Sequence, residues 1–341
     1  MCRFNNSYID TEEFFVNACH VQTSFEVPIH SFGAFLILHR TPKAMESVKW
    51  AMLVYHLTFA FTDFCNSFLM SGYYTLPIAS GKPLGLLYTL FGSSKTFRTF
   101  LAYIILTSLG LTGASLVMFF ENRYNALIQG QYNSKWRNRC RMLFIFINYF
   151  WSLIFILPVI LNLPDEKLAQ QHIREVLPCL PEELITHPMR LTIAIDLTML
   201  SVMISGSVIF YFCEALLFAI LCIHTLYFAV GVTVSANTRK MQKKFYMALG
   251  IQAIIPLMII LVPICYVIFS LTNTYFNQGF NNLVFLFFGS HGLVSVFAMI
   301  GVHKPYREAT FAILVPRRFR RQEQPAVVVD SIRSGSNALV S

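Results

Sequence analysis

Four carboxylates, Glu26, Asp63, Asp196 and Glu214, stand in stretches that contain no lysine or arginine. An acid in an apolar segment is costly unless it finds a hydrogen-bond partner, an ion or water, so each is a candidate for ligand or ion binding. Glu26 and His30 are four residues apart and share one helical face. His56 and Asp63, seven apart, also share a face but lie too far apart for direct contact. The plainer reading of Asp63 is a structural hydrogen bond, and Glu214 and His224 carry the same two readings. Nothing extends these groups into an enzyme. There is no phosphate loop, no dinucleotide turn and no His-Glu-x-x-His, and the nine histidines lack metal-ligand spacing. The expectation is a protein that is not an enzyme and uses neither metal nor cofactor.

The elements that must hold these carboxylates follow from composition. Only 13% of the 341 residues are charged, 55% are hydrophobic and mean hydropathy is +0.57, outside the range of soluble domains. Lysine and arginine are missing from 4–39, 50–81, 99–122, 142–166, 191–238 and 245–303. About 20 apolar residues cross a ~30 Å hydrocarbon core. Spans are therefore expected at 15–38, 50–74, 99–121, 142–163, 208–234, 246–271 and 282–303, the last two separated by the polar segment Thr272 to Gln278. The first is weakly apolar, because it carries His20, Glu26, Pro28 and His30. The part of 191–238 holding Asp196 is expected in an outer vestibule. A split near Ser205-Gly206-Ser207 would instead give eight spans. The expected fold class is an all-α membrane protein, a seven-transmembrane helix bundle. Residues 1–14 form a short extracellular N-terminus, 15–303 the transmembrane domain and 304–341 a cytoplasmic tail.

Orientation follows from the positive charges. With the N-terminus outside, nineteen of the 26 Lys and Arg fall on inner segments and seven on outer ones. The one Asn-x-Ser/Thr sequon, at Asn5, then faces the glycosylation machinery. Residues 1–13 have no apolar h-region, so the first span is expected to act as its own insertion signal. The net charge of +9 reads as an inner face meeting anionic lipid, and no nucleic-acid module is present. No internal repeat of the transporter kind, no selectivity-filter sequence and no Arg-rich voltage-sensor helix occurs.

Longer motifs sharpen the reading. Thr41-Pro42-Lys43-Ala44-Met45-Glu46-Ser47-Val48-Lys49-Trp50 fills the first inner loop. Pro77, Gly81 and Pro83-Leu84-Gly85 follow the second span, and Phe120-Glu121-Asn122-Arg123-Tyr124 ends the third. Leu177-Pro178-Cys179-Leu180-Pro181 lies in the second outer loop, and Lys240-Met241-Gln242-Lys243-Lys244-Phe245 leads into the sixth span. Asn277-Gln278, Asn281-Asn282, Ser290-His291-Gly292 and His303-Lys304-Pro305-Tyr306-Arg307 mark the seventh. Together, in this order, they resemble the nematode serpentine receptors of class H, within the Str superfamily, over about residues 20–310. The resemblance implies a chemosensory G-protein-coupled receptor in the plasma membrane of sensory cilia. It would bind an external odorant, tastant or pheromone and activate a heterotrimeric G protein. A neuropeptide receptor shares the topology, and a ligand-gated seven-span channel would need the opposite orientation.

The resemblance also assigns roles. Glu121-Asn122-Arg123-Tyr124 looks like a variant of the acidic-Arg-Tyr element of rhodopsin-like receptors. Glu121 and Arg123, two apart, do not share a helical face well, so either G-protein coupling or phosphate anchoring fits. Lys240, Lys243 and Lys244 join the coupling surface. Pro256 and Pro263, seven apart on the sixth span, suit either a hinge or a fixed kink. Glu26, Asp63, Glu214 and His291 are the ligand or ion pocket candidates, with Asp63 placed where rhodopsin-like receptors hold sodium. The excess of buried acids over bases leans toward a cationic or hydrogen-bonding ligand. Pro305, Tyr306, Arg307, Arg317, Arg318, Arg320 and Arg321 would anchor a short helix over 306–315 on the inner leaflet. Cys179 resembles an outer-loop cysteine whose usual partner is missing, so Cys19 or Cys2 could bridge to it, or it could stay free.

Overall fold

The computed structural model describes residues 7–91, 94–128, 134–227 and 236–314. Helix α1 runs over Glu12–Arg40, capped by the Thr11 side chain, which accepts from the Phe14 N–H at 3.1 Å. It stays continuous through Pro28. Its buried positions, Phe15, Cys19, Thr23, Glu26, His30, Gly33, Leu36 and Ile37, recur every three or four residues, so one face looks inward. Of the residues that lower the hydropathy of this segment, Glu26 and His30 point at neighbouring helices, whereas His20 and Pro28 lie on the exposed side.

Helix α2 covers Glu46–Phe64 and continues as one π turn over Cys65–Leu69. The expected second span, 50–74, is helical only that far. Ser71, at φ 40°, turns the chain into strand β1, Gly72–Thr75, which pairs antiparallel with β2, Ala79–Pro83. Helix α3 (Leu86–Phe91) leads to α4 (Lys95–Ile128), then α5 (Lys135–Ile154) and α6 (Leu157–Leu161), whose Pro158 lacks the N–H that a continuous helix would need. Two short helices follow, α7 (Glu166–Val176) and α8 (Glu182–Ile185), and then strand β3 (Leu191–Ala194), which completes a sheet of order β1-β2-β3.

Helix α9 spans Leu197–Tyr227 without a break at Ser205-Gly206-Ser207, so the eight-span division is not realised. It begins eleven residues before the expected 208, because Asp196 caps it: Asp196 Oδ1 accepts from the Thr198 N–H at 2.9 Å. Helix α10 (Ala236–Thr272) runs through both Pro256 and Pro263. The last expected span is two helices, α11 (Gln278–Gly289) and α12 (His291–Val302), bent by 40° at Ser290. Helix α13 (Lys304–Leu314) closes the described chain.

Among the described residues, α4, α5 with α6, and α9 are each long and apolar enough to cross a membrane, and the bent pair α11–α12 counts as a fourth if taken as one span. On the outward face of α9, Ile209, Phe212, Leu216 and Ile220 are about half exposed and apolar, a surface suited to lipid rather than water. The inward faces of α1, α2, α4, α9, α12 and α13 meet in one core through Leu36, Met52, Tyr55, Phe119, Tyr211, Val296 and Tyr306. In lipid, such a core is held by close packing rather than by hydrophobic transfer.

Candidate functional site

Three layers of polar residues lie along the bundle, starting at the sheet. Leu76 and Pro77 turn β1 into β2, and a small cap of Ile78, Ile173, Leu177, Leu180, Ile185 and Phe276 packs over the turn. Arg190 is buried beneath this cap. Its Nη1 donates to Thr75 Oγ1 at 3.1 Å and Ser80 Oγ at 3.2 Å, and its Nε donates to the Leu184 carbonyl at 2.6 Å. Burial pushes its pKa down to about 10. Arg98 of α4 donates to the Arg190 carbonyl at 2.6 Å and pairs with Glu166 at 3.2 Å. Lys82 of β2 pairs with Glu12 of α1 and lies 3.3 Å from His187 Nε2. Between the sheet and α4 is an open cleft whose wall includes Tyr74, Lys82, Arg98, Leu101, Ile105 and Ile193.

Tyr74 stands at the boundary to a second, narrower cleft that reaches Gln22, Asn66, Ser67 and Gly289. Its ring occupies the space above Gly72 and Gly81, where a β-carbon would come within 3 Å of it. A side chain at either glycine would push the ring aside.

The second layer begins where that cleft ends. Glu26 accepts from Ser67 Oγ at 2.6 Å and from Gln22 Nε2 at 2.7 Å, and Thr23 Oγ1 donates to Ser67 Oγ at 2.9 Å. One helical turn on, His30 Nε2 lies 3.1 Å from Asp63 Oδ2. Asp63 is fully buried, accepts from the Leu293 N–H at 3.0 Å, and lies 3.0 Å from His291 Nδ1, which is also 2.8 Å from the Phe288 carbonyl. His56 does not reach Asp63; its Nε2 meets the His30 carbonyl at 2.9 Å. Glu26, Asp63 and His291 are thus brought together, with His30 and His56 added. The Asp63 carboxylate meets two imidazoles and one peptide N–H. Glu214 is elsewhere, on α9 beside Asn148 of α5.

The third layer is at the opposite end. Arg141 of α5 donates through Nε to both Glu121 oxygens, at 2.7 and 2.8 Å. Asn122, with its amide turned to satisfy both neighbours, donates to the Ser47 carbonyl at 3.2 Å and accepts from Arg141 at 2.9 Å. Arg123 is buried toward Cys222 of α9, and Tyr124 packs on Phe218 of the same helix. Glu121 and Arg123 therefore face different helices, as their spacing requires. Lys243 Nζ sits 3.6 Å from the Tyr227 ring centre, while Lys240 and Lys244 are exposed on the first turns of α10.

Two expectations need correction. Cys19 is a buried free thiol, so it does not bridge to Cys179; it sits inside helix α1, packed with Phe15 and Tyr73. Cys179 is disulfide-bonded, and Cys2, the other candidate, lies outside the described residues. Tyr306 is fully buried and its hydroxyl bonds Thr41 Oγ1 at 2.8 Å, so it fastens α13 to the end of α1 rather than to lipid. Pro305 is half-buried in the first turn of α13, and Arg307 donates to the Gly301 carbonyl at 2.7 Å. Asn5, Arg317, Arg318, Arg320 and Arg321 lie outside the described residues.

Sequence reasoning missed Tyr74, Lys82 and Arg98 as a group. Lys82 and Arg98 enter the sequence argument only as outer charges, and the strand pairing that joins them across the chain leaves little local signal. The alternation in Leu191-Thr192-Ile193-Ala194 and the aromatic pair Tyr73-Tyr74 before a Pro- and Gly-rich turn are what could have revealed it.

Comparison with known proteins fits this architecture. The chain is 25% identical over 308 residues to serpentine receptor class H-72 of Caenorhabditis elegans, a match spanning 90% of this chain and 87% of that protein. The family model for the serpentine type 7TM GPCR chemoreceptor Srh matches residues 10–316. That match takes in the sheet, the buried acids and the Glu121–Arg141 pair together, and with the apolar helices it makes this a multi-pass membrane protein and not an enzyme. The chain belongs to the Srh family of serpentine seven-transmembrane chemoreceptors.

Proposed function

We propose that the chain is a seven-span receptor of the plasma membrane, N-terminus outside and C-terminus cytoplasmic, that binds an external small molecule and activates a heterotrimeric G protein. The observation that carries this reading is the stacking of three layers: a cleft under the sheet, a buried polar core against α12, and the Glu121–Arg141 pair at the far end. Tyr74 borders both clefts, and the second cleft touches Gln22 and Ser67, the two partners of Glu26. A ligand that displaced Tyr74 would act on this core. A ligand shifts a receptor only through its differential affinity for two arrangements, and the polar contacts between α1, α2 and α12 are groups that two arrangements could bind differently. The far end, with Arg123, Lys240, Lys243 and Lys244, would meet the G protein. Pro256 and Pro263 would let α10 bend there. Pro305, Arg307 and the tail arginines would hold α13 against anionic lipid. Sensory cilia are the expected location.

The test is a C-terminally tagged copy in the animal of origin. Staining only after permeabilisation, concentrated in sensory endings, is the expected result. Staining of intact cells would overturn the orientation, and enrichment in non-sensory cells would favour a receptor for an internal signal such as a neuropeptide. In a reconstituted assay at equal surface expression, intact ligand-driven activation after Arg123→Ala would remove that residue from the coupling surface.

A further inference from the structure

We propose, resting on the reading that the sheet end is the outer end, that the cleft between the sheet and α4 takes an amphiphile whose apolar chain ends in a carboxylate, with Arg98 as the carboxylate's partner. Arg98 is only 6% exposed. Its Nη1 is held by the Arg190 carbonyl and its Nη2 by Glu166, but its Nε is buried with no acceptor. Glu166 is 55% exposed, so that pair is shared with water. Lys82 also lines the cleft; it is paired with Glu12 of α1 and lies beside His187. Arg190, a third buried cation, is held by the neutral oxygens of Thr75, Ser80 and Leu184. Three buried cations thus meet two partly exposed acids. Tyr74, also in the wall, has a buried hydroxyl without a partner.

The rest of the wall is hydrocarbon, from Leu101, Ala102, Ile105, Leu106 and Ile193. A cationic ligand would meet like charge at the polar rim, and a neutral hydrocarbon would leave the Arg98 Nε–H unpaired. A carboxylate supplies planar acceptor oxygens for a guanidinium, and an aliphatic chain fills the remainder. This reverses the sign of ligand charge that the buried acids suggest from sequence. Those acids are engaged within the fold: Glu26 by Ser67 and Gln22, Asp63 by histidines and a peptide N–H.

The experiment uses the full chain in phosphatidylcholine nanodiscs and three diazirine probes of one chain length: a decanoic acid, its methyl ester and the matching decylamine. The acid is expected to label peptides from residues 98–106 or 191–194 about tenfold more efficiently than the other two, the scale of one charge-assisted hydrogen bond. Arg98→Gln is expected to bring the acid-to-ester ratio to about one, while Ala102→Phe, which fills the cleft, removes labelling by both. Because Arg98 also holds Arg190, Lys82→Gln serves as a second variant and is expected to lower the same ratio. Equal labelling by acid and ester, preference for the amine, or no labelling in the cleft would overturn the proposal. Full suppression of acid labelling by phosphatidylglycerol in the disc would overturn it as well, assigning the cleft to a lipid headgroup. Binding is read without signalling. A chain that labels as expected but activates no G protein would defeat the signalling reading and leave this one intact.

Discussion

Gly292 sits so close to the Asp63 carboxylate that a β-carbon there would lie 2.4 Å from Oδ2. The start of α12 can therefore present the Leu293 N–H to Asp63 only because position 292 has no side chain. Gly292→Ala must displace either the carboxylate or the helix. The expected cost is about 1–3 kcal/mol, from overpacking plus a buried acceptor that loses its donor. The melting temperature of the purified protein in detergent should fall accordingly. Asp63→Asn keeps the shape but alters the hydrogen-bonding of His30 and His291, and should also lower it. A Gly292→Ala protein that melts with the wild type would remove this contact from the account.

The Glu121–Arg141 pair makes a separate prediction. Glu121 is 7% exposed in its side chain and Arg141 23%, so water screens the pair only partly. Glu121→Gln and Arg141→Ala should each destabilise the chain by about 1–3 kcal/mol. Together they should cost much less than the sum, because the second change removes a group already left without its partner. A double-mutant cycle on thermal stability measures this, and strict additivity would exclude a direct interaction.

These two contacts mark how far the sequence is legible. Helix positions follow from where lysine and arginine are missing, and the separation of Glu121 from Arg123 follows from helical geometry. The Arg141 partner does not, since nothing local says that α5 rather than Arg123 supplies the cation. The meeting of Asp63 with His291 joins distant segments and needs the bend at Ser290, which hydropathy averages away. The sheet is hidden for a related reason. Gly72-Tyr73-Tyr74-Thr75 continues an apolar stretch and reads as the end of a helix, and only its pairing with β2 makes it a strand. The helix start at Leu197 is missed because capping by the exposed Asp196 leaves no mark in hydropathy.

The cap over the sheet should respond to acid through His187. Burial, and then the Lys82 ammonium beside it, hold the His187 pKa below the ordinary 6.5. Arg190 and Arg98 act in the same direction, while Glu12 opposes them. Within the cap, a neutral imidazole has one lone pair, which accepts either from Lys82 at Nε2 or from the Met189 N–H at Nδ1. Protonation forfeits both. A histidine with a lowered folded pKa binds more protons when its surroundings open, so its contribution is complete above pH 6.5 and is lost as pH falls below that. Hydrogen exchange across residues 182–192 should therefore speed up on acidification below about 6.5, beyond the intrinsic rate change. His187→Gln should flatten that response. A protection profile unchanged between pH 7.5 and 5.5 would rule His187 out as its source.

The contact between Tyr306 and Thr41 predicts how α13 is held. The two hydroxyls lie 2.8 Å apart, and Thr41 Oγ1 also donates to the Ile37 carbonyl at the end of α1. If Tyr306 donates to Thr41, the chain Tyr306–Thr41–Ile37 ties α13 to the last turn of α1. Tyr306→Phe keeps the buried ring, which packs edge-on against His303, and removes only the hydroxyl. The expected loss is about 1 kcal/mol, the net worth of one hydrogen bond. Tyr306→Ala removes the ring as well and should cost about 3–5 kcal/mol by opening a cavity in the core. The two variants separate a buried anchor from a lipid-facing one. A side chain serving only as a lipid anchor would tolerate alanine with little effect on melting in detergent, whereas the contact seen here makes alanine several times worse than phenylalanine.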